Sequence, residues 1–284
     1  MRKSTLKSWP CAALLVGCVT FGFGPGVHAE GDAEVVQKLA HGEVNWSTRM
    51  VTATGSGAAS LKPNQVPAAA RLKAERAAQL DALRNIIETL QGVQVTGKRS
   101  VGDLMSNGEI KSKVEGFARG FKVVDTRYYS DGSVDKVVQM PMTNELNETL
   151  MSAAVGGKKA KKKISLNTSG EAKASGLIIN AKGLGLLPSM APRLVDEAGK
   201  EVYGTAVVAA DAVAEGGLAG YAKDIEQAKA DARTGEKPVV IKALRLAKNS
   251  KTDLVLSSAD AENLRAPDTN LKFLTEGRVI IVVD

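Results

Sequence analysis

The stretch from Pro67 to Gly92, PAAARLKAERAAQLDALRNIIETLQG, decides the fold. Proline stands where a first helical residue tolerates it, and alanine, leucine, arginine and glutamate follow with no breaker until Gly92. The spacing predicts one long helix over Ala68 to Gln91. Leu80, Leu83, Ile87 and Leu90 recur at intervals of three and four and mark an apolar stripe, while Ala70, Ala74 and Ala77 let the first half lie close to a neighbour. Such a stripe needs a partner layer. Upstream, Val44, Trp46, Thr48 and Met50-Val51-Thr52-Ala53-Thr54 are rich in β-branched and aromatic side chains and predict a strand ending at Gly55-Ser56-Gly57, where the glycines imply a bulge or turn.

Downstream, Val93 and Val95 predict a short strand, Asn107 to Ala118 a helix closed by Gly120, and Phe121 to Tyr129 another strand. Asp131-Gly132 suits a tight hairpin turn and Val134 to Met142 the returning strand. Asn144 to Ala154 continues as a short helix. The second half opens on Leu177-Ile178-Ile179 and closes on Val279-Ile280-Ile281-Val282-Val283, runs apolar on both faces, as in neighbouring central strands of a covered sheet. Between them, Arg193 to Val202 carries Glu197-Ala198-Gly199-Lys200 as a hairpin turn. Tyr221, Ile225, Ala228 and Ala232 form a helical stripe. Val239 to Leu244 and Asp253 to Leu256 read as strands, and Asp260 to Leu264 and Asn270 to Leu274 as short helices. The expected class is α+β with two small domains, the first an antiparallel sheet covered by two helices, the second a mixed sheet with short helices. The segments are a signal peptide over residues 1–29, a mobile lead-in over 30–42, an α+β domain over 43–150, a lysine-rich linker over 151–175 and a C-terminal domain over 176–284.

The leader combines Arg2, Lys3 and Lys7 with an apolar run from Cys11 to Phe23, too short for a spanning helix. Val27-His28-Ala29 fits signal peptidase cleavage, so the exported chain is expected to begin at Glu30. A competing reading takes Leu15-Val16-Gly17-Cys18 as a lipobox with Cys18 acylated. Either product works outside the inner membrane, in the periplasm, with outer-membrane association in view.

The formal charge of +7 is not spread over the domains. Residues 30–150 hold 15 basic and 15 acidic side chains, and residues 176–284 hold 14 and 15. The excess beyond the leader sits in residues 151–175, chiefly Lys158, Lys159, Lys161, Lys162 and Lys163. A lysine run without aromatic neighbours reads as a solvated spacer, and no nucleic-acid partner is expected.

Chemistry is scarce after the leader. Both cysteines, Cys11 and Cys18, lie inside it, and His41 is the one histidine beyond it. Multi-histidine zinc sites and Cys/His dyads are thereby excluded, and no catalytic, cofactor-binding or metal-ligating residue is assigned. Gly55-Ser56-Gly57 does not open a helix at once, as a dinucleotide loop must. Gly183-Leu184-Gly185-Leu186-Leu187-Pro188 has proline where a third glycine belongs and reads as a special turn. Ser133 and Lys136 share a spacing that suits a catalytic dyad on a helix, but they fall on a strand. Asp196-Glu197 and Asp260 with Glu262 lie at a turn and a helix start, where acids serve solubility and the helix dipole. Trp46 is expected to pack, and His41 to be solvated.

The residues Val51 to Gly57, Ala70 to Asn85, Val114-Glu115-Gly116-Phe117-Ala118-Arg119-Gly120 and the strand to Met140 resemble the Lpp-twenty lipoprotein family of bacterial envelopes. The resemblance covers about residues 43–142 and extends to the N-terminal domain of the flagellar assembly proteins FlgP and FlgT. It implies two helices on an antiparallel sheet and ring or disk assembly, and no catalytic residue carries over from it. The expected function is that of a non-catalytic envelope structural or assembly protein, flagellum-associated, acting as a homo-oligomer or with other envelope proteins. The alternative is a periplasmic binding module taking a small molecule or glycan through the C-terminal domain.

Overall fold

The computed structural model describes residues 33–59, 67–155, 164, 166–169, 174–209, 212–213, 216–266 and 270–284. The expected signal peptide, with Cys18 and Ala29, and the lysine run of the expected linker lie outside the described residues. The strands of the first half are β1 (Val36–Lys38), β2 (Gly42–Asn45), β3 (Met50–Gly57), β4 (Gln94–Thr96), β5 (Arg99–Ser100), β6 (Lys122–Tyr128) and β7 (Val134–Pro141). Five of them form an antiparallel sheet in the order β1-β2-β3-β7-β6, and β4 and β5 make a small ribbon of their own.

Helix α1 (Pro67–Gln91) lies across β3 and β7. Its buried line is Ala70, Ala74, Ala78, Ala82, Ile86 and Leu90, one residue in four, whereas Leu80 is 69% exposed. The expected stripe of Leu80, Leu83, Ile87 and Leu90 is therefore displaced, and Ala77 faces outward. The reason lies beneath the helix. Gly55 and Gly57 are not a turn but the last part of β3, paired in unbroken register with Lys136 and Val134 of β7. A Cβ on Gly57 would stand 2.0 Å from the Ala74 carbonyl oxygen, so helix and strand touch backbone to backbone. Over these glycines only alanine fits, at Ala74, Ala78 and Ala82, and Leu80 is turned away.

The single strand expected from Val44 to Thr54 is a hairpin, with β2 pairing β3 from Gly42–Ala53 to Asn45–Met50. No glycine or proline marks its turn. Instead Asn45 Oδ1 accepts the Thr48 N–H at 3.0 Å and Arg49 adopts a left-handed φ of 57°. The polar lead-in contributes β1, which pairs with β2. The Asp131-Gly132 turn forms as expected, with Gly132 at φ 83° and Asp131 Oδ1 accepting from the Ser133 N–H at 2.9 Å. Short α2 (Val101–Leu104) carries a capping box between Ser100 and Asp103, and α3 (Gly108–Ala118) is capped by Asn107. Helix α3 packs on α1 and on α4 (Asn144–Val155).

The second half holds a four-stranded parallel sheet built from β8 (Gly176–Asn180), β11 (Gly220–Ala222), β12 (Pro238–Lys242) and β15 (Val279–Val282), in the order β11-β15-β8-β12. The two apolar runs are its central neighbours, in register from Leu177–Val279 to Asn180–Val282. Ile178 and Ile280 pack under α5 (Ile225–Ala230), while Leu177, Ile179, Val279 and Ile281 enter the main core on the other face. Tyr221 belongs to β11 and Ala232 lies past the helix, so the stripe read through them is only the Ile225 to Ala228 part. A mixed sheet comprises β9 (Leu194–Val195), β10 (Glu201–Tyr203), β13 (Arg245–Leu246) and β14 (Leu254–Val255), in the order β10-β9-β14-β13. Helices α6 (Ser258–Asn263) and α7 (Lys272–Thr275) complete it.

The molecule is thus α+β, an antiparallel sheet with helices followed by a region of mixed strand pairing and short helices. Residues 32–284 form one compact unit with a continuous apolar core from Val35 to Val283. Backbone bonds stitch its halves: Met190 N–H donates to Gln94 O at 3.0 Å and Ala191 N–H to Val95 O at 2.8 Å. Beside them Asp253, with no exposed side-chain surface, receives Arg193 Nη2 at 2.5 Å. No helix among the described residues is long and apolar enough to cross a membrane.

Candidate functional site

The β2–β3 turn, the end of β7 with α4, and three loops of the second half enclose a cleft of about 750 Å³. The turn brings Trp46 and Arg49 to its rim. Trp46 meets Tyr221 edge-on, ring centres 5.5 Å apart at 66°, and its indole N–H donates to Gln37 Oε1 at 2.9 Å. The phenol of Tyr221 is locked in turn, accepting the Ser189 N–H at 2.9 Å and donating to Ser189 O at 2.8 Å. Burial pushes that phenol up to about 12, so it stays protonated.

Arg233, just after α5, lines the cleft beside Gly220. Its Nε donates to Gly277 O at 2.8 Å, Nη1 to Gly216 O at 2.8 Å and Nη2 to Gly217 O at 2.7 Å. Gly217 and Gly277 both adopt φ 68°, a left-handed conformation that lets these carbonyls converge on the guanidinium. Burial holds Arg233 below its ordinary value. Burial, and then the charge of Arg233, do the same to Arg49. Two cations therefore share a partly dry cleft.

The floor is softer. Met142, Met151 and Met190 line it, and α4 supplies Asn147 one turn before Met151. Asn147 is 3% exposed and Ser189 1%, and neither Asn147 Nδ2 nor Ser189 Oγ has a hydrogen-bond partner. Of the acids in the lining, Asp231 accepts the Arg233 backbone N–H at 2.8 Å, and Glu276 is held by Arg278 at 2.8 Å and Lys272 at 3.3 Å. The arrangement offers donors, positive charge and an apolar floor. Sequence reasoning missed this cleft, because its parts are single arginine, asparagine and serine residues scattered over more than 180 positions. The one advance signal was Trp46, which packs as expected.

The residues weighed from sequence are accounted for elsewhere. In Gly183 to Pro188, Gly183 and Gly185 are left-handed, and the Gly183 N–H donates to the Asp284 carboxylate at 2.8 Å. That turn delivers Ser189 and Met190 to the cleft without lining it. Asp196 binds Arg265 at 2.7 Å, Glu197 caps α6 through Ser258, and Asp260 exchanges bonds with Ser257. Asp135 receives Ser56 Oγ and Tyr129 Oη, and lies on the strand with Lys136. His41, half exposed, meets Glu88 at 3.0 Å rather than solvent alone. No cluster of three or more potential metal ligands occurs among the described residues.

Residues 176–284 match a family model described as Treponema pallidum Tp0624, second domain. The match begins at Gly176, the first residue of β8, and covers well under half of the chain, so it records what this half is similar to. No curated protein matches the chain.

Proposed function

We propose that this chain is an exported, non-catalytic protein of the bacterial envelope that works through protein–protein contacts, assembling with copies of itself in a structural role tied to the flagellum. The observation that carries this reading is the edge formed by β6. That strand pairs with β7 on one side and ends the sheet on the other. Val123, Val124 and Tyr128 are exposed along it, and Tyr129 just past its end. An unpaired edge of this length is a template for another strand.

Its sequence is self-complementary. Antiparallel pairing of two copies about Thr126 sets Asp125 of each opposite Arg127 of the other, exchanging between copies the pair that these side chains make within one copy at 2.8 Å, and brings Val124, at the register shift of β6, near Tyr128. The outward Leu80, near Leu83 and Phe121, adds apolar surface on the helix face. The resemblance of residues 43–142 to the Lpp-twenty family, read from the sequence, supports the same setting.

Sedimentation velocity over a wide concentration range tests it. The wild type is expected to form dimers or larger species, Arg127→Asp to be monomeric, and Arg127→Asp with Asp125→Arg to reassemble. Monomers alone at every concentration would overturn the proposal. The cleft favours a second reading, a binding module for a small molecule.

A further inference from the structure

Arg233, Asn147 and Ser189 come from three separate segments and face one cavity. Arg233 spends three of the five N–H donors of a guanidinium on carbonyl oxygens, and two are left. Those carbonyls are neutral, so they orient the cation without cancelling its charge. Of the acids in the lining, Glu276 is paired with Arg278 and Lys272, and Asp231 accepts the Arg233 backbone N–H and keeps its charge near the guanidinium without bonding to it. Asn147 Nδ2 and Ser189 Oγ are buried polar atoms without partners, a state that costs free energy unless something polar meets them. Ser189 sits against the Tyr221 phenol of the Trp46–Tyr221 pair and Asn147 stands beside Met151, so polar and apolar groups alternate in the lining.

We propose that this cleft receives a small carboxylate-bearing molecule with an apolar body, its carboxylate met by Arg233, Asn147 and Ser189 and its body by the methionines and Trp46. A guanidinium whose orientation is fixed in advance suits a planar two-oxygen acceptor better than a point charge does. Water displaced from a mixed wall of thioether and indole favours an apolar body over a fully polar one. A cavity of about 750 Å³ accommodates a ligand the size of one or two amino acids. The inference rests on the binding-module reading and not on assembly.

The chain carries its own reporter. Its tryptophans are Trp9, in the leader, and Trp46, so in residues 32–284, the compact unit, fluorescence reports on the cleft alone. N-acetylphenylalanine, its uncharged amide and inorganic phosphate are titrated at a concentration where sedimentation shows one species. Saturable change with the acid is expected, with the amide at least tenfold weaker and phosphate without effect. Ser189→Ala and Asn147→Leu each lower the affinity fivefold or more while keeping the melting temperature, since each removes an unpartnered polar atom. Arg233→Met also removes a support of three carbonyls, so the other two variants decide the outcome. Equal binding of acid and amide, a response to phosphate alone, no response to any probe, or wild-type affinity in both variants would overturn the proposal. Failure here leaves the sedimentation result standing, and the reverse holds.

Discussion

Gly55 lies so close beneath Ala82 that a Cβ on the glycine would fall 2.0 Å from the Ala82 backbone nitrogen. The first half of the protein is organised by this approach of helix to strand. It explains why the first half of the helix buries alanine at every fourth position, and why Leu72 and Leu80 stand outside.

Gly55→Ala is therefore expected to destabilise the protein by more than about 3 kcal/mol, because the clash is with backbone and no side-chain rotation relieves it. Chemical denaturation of residues 32–284 checks this. An alanine variant within 1 kcal/mol of wild type, roughly the usual penalty of a neutral swap, would mean that α1 sits further from the sheet.

Leu80 and Ile86 separate the helix that exists from the one the leucine spacing suggests. Leu80→Ala should change stability by less than about 0.5 kcal/mol, as exposed positions do. Ile86→Ala should cost about 2–5 kcal/mol, since that side chain has no exposed surface. The reverse order in a urea melt would place the buried face where the leucines are.

The Arg193–Asp253 pair sits where the halves meet, and a Cβ on Gly97 would come 2.8 Å from Asp253 Oδ2. Asp253→Ala leaves a half-buried guanidinium without its carboxylate, at a cost of about 3 kcal/mol. Arg193→Met added to it should recover a large part of that loss, because the stranded charge goes too. A double variant as unstable as the single one counts against this account.

Asp196 ties stability to pH. Its hydrogen-bonded pairing with Arg265, together with the Lys200 N–H, holds its carboxyl below the usual 3.8, against the opposing effect of burial. A depressed folded value means that the contribution is fully present above the unfolded value and is lost as pH falls through the folded one. Melting temperature measured from pH 6 down to pH 2, in the range where carboxylates titrate, should fall less steeply below about pH 4 in Asp196→Asn than in wild type. Parallel curves would show that the pair adds nothing.

Much of the fold was legible before any coordinates. Leu177-Ile178-Ile179 and Val279 to Val283 announced central strands because residues buried on both faces leave no alternation, and β8 and β15 are neighbours in register. Asp131-Gly132 and Glu197 to Lys200 announced their turns because positive φ is cheap for glycine. The β2–β3 turn stayed hidden, since an asparagine hydrogen bond and a left-handed arginine shape it. So did β1, whose three residues carry no pattern of their own and pair only because β2 offers an edge.

The sequence by itself determined most of the long elements, the scarcity of reactive side chains and the near-neutral halves, because local propensity and composition are properties of neighbours along the chain. Only the tertiary structure decided which face of α1 is buried, that the two halves share one core, and that Arg233, Asn147 and Ser189 line one cleft. The first depends on how closely two backbones approach, which glycines on another strand control. The others depend on contacts between residues far apart in sequence, where no periodicity carries information.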